Sequence, residues 1–525
     1  MTFTSPLIDW AALGPVLIVL GAGAVGILVE SFVRTPAVRR TVQITLTLLA
    51  LVAALGYAIA YWVALDGPGV EAVDMLVVLD RQALLWQSIL LVFGILSVLL
   101  FADRTRAGET PFVPLASAPP GSVDEQLARR KGLELTEAFP LALFSIGGML
   151  LFVSTTELIL LFVALELFSL PLYIMVALAR RRRMLAQEAA VKYFILGAFA
   201  SAIFLFGAAL LYGATAQTGF AEIGLLVVVI GSRDLMVLTG MIFVVVGLLF
   251  KLGAVPFHAW VPDVYEGAPT QVTAFMAALV KAAAAAALLR ASYTFLYRFG
   301  PELDWLIWVV GAASMVLGAI VALRQTDVKR MLAYSSISHA GFILVAFAGF
   351  PEDALSAVPF YLITYGIASI GAFAVVTQVR ERSEDGSLGA EAVRLGQWTG
   401  LGKRSPLLAG AMALFLLSFA GIPLTAGFIG KFVVFSAAIR EGGWPLVLIA
   451  VAASAIAAFF YVRLIVLMYF TDAPEDVASA VSVESTPLSK VVIVVTAILT
   501  VLLGVVPGWL LSVAADSAVL VVPVL

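Results

Sequence analysis

The chain contains no cysteine and only two histidines. That excludes disulfides, cysteine-ligated iron–sulfur clusters and thiolate metal sites. A chain so poor in metal and redox ligands is not expected to carry electrons. Charge is scarce as well: Asp, Glu, Lys and Arg make up 12 % of 525 residues, against about 25 % in a soluble globular protein. An ordinary soluble enzyme is thereby excluded. With a formal net charge of −3, no polybasic surface invites nucleic acid. What abounds is apolar: 62 % of the residues are hydrophobic and the mean hydropathy is +1.08. The composition is that of a polytopic membrane protein.

A bilayer-crossing helix needs about 20 mostly apolar residues. Fourteen such stretches are present, at 10–30, 42–63, 76–101, 138–155, 157–179, 190–212, 235–257, 269–290, 303–323, 328–349, 355–379, 406–440, 444–470 and 489–512. None alternates as a barrel strand would, so the expected fold class is all-α. The start, Met1-Thr2-Phe3-Thr4-Ser5-Pro6, lacks a basic n-region and is not expected to be a cleavable signal peptide. The run 220–230 is apolar but too short to cross. The stretch 406–440 is too long for one straight span, and Gly421-Ile422-Pro423 predicts a discontinuous helix there.

Orientation follows from the basic residues. Of 31 Lys and Arg, 21 fall in or beside one set of alternate loops, 5 in or beside the other, and the remaining 5 (Lys192, Lys251, Lys281, Lys431 and Arg463) inside spans. This split places both termini outside the cytoplasm and the multi-pass chain in the cell membrane.

Charge inside a membrane costs roughly 2.5–3.5 kcal/mol on insertion scales. Four cases stand out: Glu166 in LFVALELFSLPLY, Lys251 in GLLFKLGAVPFHAW, Lys281 before a run of alanines, and Lys431 eight residues after Pro423. A single such lysine reads as a snorkelling side chain or as helix-to-helix glue. Three together with a central glutamate, two of them beside helix breaks, read better as a hydrated proton or ion path. A poorly solvated lysine holds its proton less tightly, and a nearby carboxylate restores the hold. Moving one charge then changes its neighbour's proton affinity.

His339, in the polar run with Ser335, Ser336 and Ser338, is either a packing histidine or a relay between Lys281 and Lys431. His258, in PFHAWVPD, is evenly balanced between the two. Glu157 lies nine residues before Glu166, about 2.5 helical turns away, so the two form no carboxylate pair. Glu157 is either a site residue or a helix-start carboxylate. Lys192, beside Tyr193 at the start of the sixth span, either snorkels or acts. Asp263, Tyr265 and Glu266 in VPDVYEGAP predict a fixed turn at the membrane face, and Arg463 a late-span snorkeler or ion-pair partner.

The organisation suggests a three-span N-terminal extension with a charged loop (1–135), two five-span units (136–295 and 300–470), and a C-terminal loop and final helix (471–525). In each unit the break falls in the fourth span, near Pro256 and near Pro423. Units with an odd number of spans alternate in direction, so consecutive ones are inverted, as in secondary transporters.

At ELFSLPLY, EAAVKY, VPFHAWVPDVYEGAPTQVTAF, RMLAYSSISHAG and AGIPLTAGFIGKF the chain resembles subunit N of the bacterial proton-pumping NADH–quinone oxidoreductase, whose mitochondrial counterpart is subunit 2 of respiratory complex I. The resemblance covers essentially the whole chain. It implies an antiporter-like membrane-arm subunit with fourteen helices and two inverted five-helix repeats. It implies that Glu166, Lys251, Lys281 and Lys431 are the family's buried glutamate and lysines, that His339 belongs to a central polar bridge, and that Lys192 matches a further family lysine. It implies no cofactor in this chain. NADH, FMN, iron–sulfur clusters and quinone, ubiquinone or menaquinone, are expected in partner subunits. The expected partners are the other membrane and peripheral subunits, adjacent antiporter-like subunits and lipids. The long charged loop 103–137 departs from the pattern. A subunit of a multi-subunit cation/proton antiporter is the alternative, and a purely structural membrane scaffold the third reading.

Overall fold

The structure, a computed structural model, describes residues 8–74, 76–106, 108–118, 122–131, 133–382, 388–474 and 479–521. The N-terminal segment Met1–Pro6, read above for a signal peptide, lies outside the described residues.

Helices dominate. Eleven among the described residues are long and apolar enough to cross a membrane. They are α1 (Gly14–Phe32), α2 (Pro36–Ala64), α3 (Arg81–Ala102), α6 (Leu158–Ala177), α7 (Arg183–Thr215), α9 (Leu235–Leu252), the continuous stretch Thr270–Thr294, α13 (Pro301–Leu323), α15 (Ala354–Gln378), α19 (Trp444–Tyr469) and α20 (Pro487–Val505). The other expected spans fall on shorter or more polar helices: α5 (Ala138–Phe152), α14 (Val328–Val345), and the pair α17 (Pro406–Ala420) and α18 (Ala426–Arg440). The run 220–230 forms a separate short helix, α8 (Phe220–Ile230), and α4 (Val123–Arg130) and α16 (Leu401–Arg404) are short as well.

The predicted turn at VPDVYEGAP is a correction. Trp260–Gly267 is helical, α10, and continues the chain after the break at the end of α9. Its Pro262 sits in the first turn, where a missing N–H costs nothing because no intrahelical acceptor waits for it. The Thr270–Thr294 stretch comprises α11 (Thr270–Phe275), a π-helical turn (Met276–Val280) and α12 (Lys281–Thr294).

The centre of the bundle is Thr270–Thr294, buried throughout except at the half-buried Tyr293, with α15 almost so. Small side chains allow this. Ala282–Ala287 follow Lys281 as six successive alanines, and methyl groups let neighbouring backbones approach. The same device joins α13 to α14: a Cβ on Gly341 would lie 2.7 Å from Gly311 O and from Met315 N. Exposed apolar side chains such as Leu49, Phe199, Val229 and Phe459 cover the outer faces.

The basic loops meet at one end of the bundle. The described residues of loop 103–137 form a strap across that end. Its Glu134 pairs with Arg40 of α2 and with Arg104. Its Glu109 pairs with Arg180 and Arg181, and its Ala116 and Ala118 carbonyls accept from Arg183. A small antiparallel sheet lies at the same end, with β4 (Leu388–Glu391) and β5 (Val481–Val483) flanking β3 (Val379–Arg382). At the other end the hairpin β1 (Gly69–Val73) and β2 (Val77–Asp80) leads into α3. There Asp80 and Arg290 form a bidentate ion pair at 2.8 and 2.9 Å, with side chains 0 % and 2 % exposed. Arg290 is therefore part of the core, and so is Lys329, 3 % exposed.

Candidate functional site

Two helix breaks build the site, and both are made the same way. Helix α9 ends at Gly253, with φ +78°, whose N–H closes back on Leu249 and Phe250 while Ala254 N–H closes on Leu249. Helix α17 ends at Gly421, with φ +81°, whose N–H closes on Leu417 and Ser418 while Ile422 N–H closes on Leu417. These are glycine-terminated helix ends in the left-handed conformation, which an L side chain resists. They leave the last carbonyls of each helix inside the bundle, where they carry the negative end of the helix dipole.

A lysine from elsewhere caps each break. Lys281 Nζ donates to Leu252 O at 2.9 Å and to Ser336 O on α14 at 2.9 Å. Lys431 Nζ donates to Phe419 O at 2.8 Å, Ala420 O at 3.1 Å and Ser454 Oγ on α19 at 2.7 Å. Both lysines are buried.

Lys251, in the last turn of α9, points at α6. Its Nζ donates to Ser169 Oγ at 2.8 Å and to Tyr173 Oη at 3.4 Å. The rings of Phe168, Tyr173, Tyr193 and Phe250 stand 5.5–5.8 Å from it. Glu166 lies on the same face of α6, three residues before Ser169. It is half-buried, and its Oε1 has no hydrogen-bond partner. Among the described ion pairs none joins Glu166 to Lys251, so the lysine rests on hydroxyls.

His339 occupies the middle. Its Nδ1 is 2.6 Å from Tyr361 Oη and its Nε2 3.4 Å from Tyr461 Oη, which also bonds Ser335. The Tyr365 ring lies 4.7 Å from the imidazole and 5.9 Å from Lys281 Nζ. On the other side Phe342 packs 5.5 Å from the imidazole, with Lys431 Nζ 4.6 Å above its ring. Lys281, His339 and Lys431 thus share one aromatic enclosure.

The remaining candidates are placed differently. Glu157 caps the start of α6, accepting from Leu160 N–H at 2.5 Å. Lys192 is the tenth residue of α7, and pairs with Glu188 at 2.7 Å and Asp263 at 2.8 Å. Asp263 also accepts from Arg330, as does Glu266. Partial burial pushes the Asp263 carboxyl up, but the Lys192 and Arg330 hydrogen bonds outweigh it and hold the group below the usual carboxylate range. His258 lies half-buried in the break between α9 and α10, its Nδ1 without a partner. Arg463 donates to Leu323 O.

Sequence reasoning missed the hydroxyls. Ser169 and Tyr173, three and seven residues after Glu166, share its helix face and were findable by spacing. Tyr361, Tyr365, Tyr461 and Ser454 arrive from other helices and carry no local signal. No group of three or more His, Asp or Glu that could hold a metal occurs among the described residues.

Discontinuous helices closed by buried lysines, inside an all-helical membrane bundle, define an antiporter-like membrane protein. The chain belongs to the family described as NADH:quinone oxidoreductase/Mrp antiporter, transmembrane, which matches residues 155–457. Within that family, NADH-quinone oxidoreductase subunit N of Beutenbergia cavernae is 49 % identical, over 99 % of this chain and 100 % of that protein. Among solved structures, a chain of respiratory complex I from Thermus thermophilus with bound aureothin matches with a TM-score of 0.74 and 32 % identity, covering 95 % of this chain and 98 % of that one. A chain of the Mrp complex from Dietzia sp. DQ12-45-1b matches with a TM-score of 0.75 and 23 % identity, covering 97 % and 96 %. That second likeness concerns the fold alone.

Proposed function

We propose that the chain is a membrane-arm subunit of a proton-translocating NADH–quinone oxidoreductase, and that it carries protons without doing redox chemistry itself. NADH, FMN, iron–sulfur clusters and quinone belong to its partner subunits. The chain has fourteen transmembrane segments: an N-terminal three-helix extension in 1–135, two inverted five-helix repeats within 136–295 and 300–470, and a last helix in 471–525. Both termini lie outside the cytoplasm, as the bias of basic residues requires.

One observation carries the reading. Lys281 bridges the carbonyl end of the first break to α14, the helix that bears His339. Two of its three donor hydrogens are thereby held, and the third is free for transfer. Protons enter from the cytoplasm near Lys251, pass Lys281 and the imidazole of His339, and reach Lys431, from which they leave outward. Glu166 modulates Lys251. Ser169 is one turn from Glu166 along α6, about 5–6 Å between Cβ atoms, so a rotamer change can carry the ammonium from hydroxyls to carboxylate. Quinone reduction in partner subunits drives this by displacing neighbouring charges. Lys192, Glu157 and His258 are secondary members, Glu157 chiefly as a helix cap.

Replacing Lys251 with Ala is expected to abolish or severely reduce proton pumping by the assembled complex. Full pumping with full quinone reductase activity in that variant would falsify the proposal. A cation/proton antiporter subunit calls for a carboxylate-rich site at mid-membrane, whereas this buried set is mostly lysine. Co-purification of quinone-reducing partners in mild detergent separates the two.

A further inference from the structure

A charged cluster at the basic end of the bundle stands outside the lysine series. Asp263 of α10 uses both carboxylate oxygens: Oδ2 accepts from Lys192 of α7 at 2.8 Å and Oδ1 from Arg330 of α14 at 2.7 Å. Lys192 has a second seat, Glu188 Oε1 at 2.7 Å, one turn back along α7. Arg330 likewise reaches Glu266 at 2.8 Å. Lys329, next to Arg330 on α14, is engaged by the Ala268 carbonyl. The side chains of Lys192 and Glu188 are 42 % and 59 % exposed, and that of Asp263 30 %.

Beneath the cluster lies an aromatic layer. Tyr193 follows Lys192, and its ring stacks on Trp260 at 4.8 Å. Lys251 Nζ lies 5.8 Å from the Tyr193 ring. Tyr173, to which Lys251 donates, packs 4.7 Å from Tyr193. The Tyr193 hydroxyl is buried and has no hydrogen-bond partner. One layer of rings thus separates solvent-reaching charges from Lys251, and it contains an unused polar group.

We propose that Asp263 is the port through which solvent protons reach the Lys251 compartment, and that Lys192 gates it by toggling between Asp263 and Glu188. The inference rests on the proton-carrying reading above and names its inlet. With Lys192 and Arg330 both donating, the carboxylate is stabilised in its charged form and takes up a proton poorly near neutral pH. When Lys192 moves to Glu188 alone, Asp263 loses one donor and its proton affinity rises. A proton then adds to a carboxylate oxygen from water. When Lys192 returns, that O–H bond breaks and the proton passes by way of the Tyr193 hydroxyl, which gives up its own proton as it gains one, to form a new N–H bond on a deprotonated Lys251. Glu266 acts in the same sense when it draws Arg330 away.

The test uses the assembled complex in inside-out vesicles, where bath pH is cytoplasmic pH and the lumen is buffered. NADH-driven proton uptake per quinone reduced is followed across bath pH. The ratio falls as pH rises past the port's proton affinity. E188Q strips the second seat of its charge and so favours Lys192 on Asp263, and the fall moves acid by about one pH unit, the usual size of a neighbouring-charge effect. K192Q removes the donor, and the fall moves alkaline by about one pH unit. Opposite shifts support Asp263 as the port, because a cluster that takes up no pumped proton would lower activity without moving the two profiles apart. Shifts in the same direction, or none in E188Q, overturn it; Glu188 is exposed, so that variant leaves packing undisturbed. K251A run in parallel separates the two ideas. If K251A pumps fully, the underlying reading fails. If K251A stops pumping while E188Q and K192Q keep the parental profile, only the port fails.

Discussion

An ammonium held by neutral oxygens behaves differently from one held by a carboxylate. The bonds are directional, the partners bear no net charge, and the ion remains responsive to charges that arrive nearby. Lys251, Lys281 and Lys431 are all of this kind: hydroxyls hold the first and chiefly backbone carbonyls the other two. Arg290 is the contrast, locked by two bonds to Asp80 and a third to Val153 O. Removing one partner of a buried pair costs about 3–5 kcal/mol because it leaves an uncompensated buried charge, and removing the second charge as well relieves that cost. D80N is therefore expected to lose most of the assembled complex, and the double variant D80N/R290M to regain much of it. Quantifying the subunit in membranes, with the melting temperature of the purified complex, checks this; equal losses in the single and double variants would contradict it.

At the scale of elements, the helix breaks carry the site. Gly421 adopts φ +81°, and a Cβ there would lie 2.9 Å from Lys431 Cδ. G421A thus imposes about 1–2 kcal/mol of left-handed strain and crowds the lysine's seat. It is expected to depress pumping more than quinone reduction. A proportional loss of both, or none, would count against the break as the seat of function. Eleven of the spans and both breaks were legible in the sequence, because about 20 apolar residues and a Gly–Pro interruption act locally. Helix α10 was not. PDVYEGAP has turn composition, and only its position beyond the α9 break, packed against α7 and α14, makes it helical. Of the site, the charged members were legible because charge is rare here. The partners that fix them were not: Lys251 meets Ser169 across 82 residues of sequence and Lys281 meets Ser336 across 55. Such meetings are tertiary, and no local pattern encodes them.

Across the whole molecule, the two ends are closed in different ways. The basic end is closed by the strap 103–137 and a three-stranded sheet, held by exposed and half-buried ion pairs. The other end is closed by a hairpin and the buried Asp80–Arg290 pair. The strap, unexplained by sequence, ties α2, α3 and α7 together, and Arg183 is its deepest anchor, donating to Ala116 O and Ala118 O and pairing with Glu125 at 3.8 Å. R183M is expected to loosen it and to raise proteolytic cleavage within 103–137 several-fold in membranes. Unchanged cleavage would show that other contacts suffice. High salt is expected to act in the same direction at this end and hardly at all at the other, since screening reaches exposed pairs and not buried ones.

The alanine run after Lys281 has a mechanical consequence. A methyl group has no rotamers, so Ala282–Ala287 have no side-chain freedom to lose or gain. Wholly enclosed, they form a shaft with no rotamer to change, so any side-chain rearrangement at this level of the bundle falls to the butylammonium arm of Lys281 and not to the six residues that follow it.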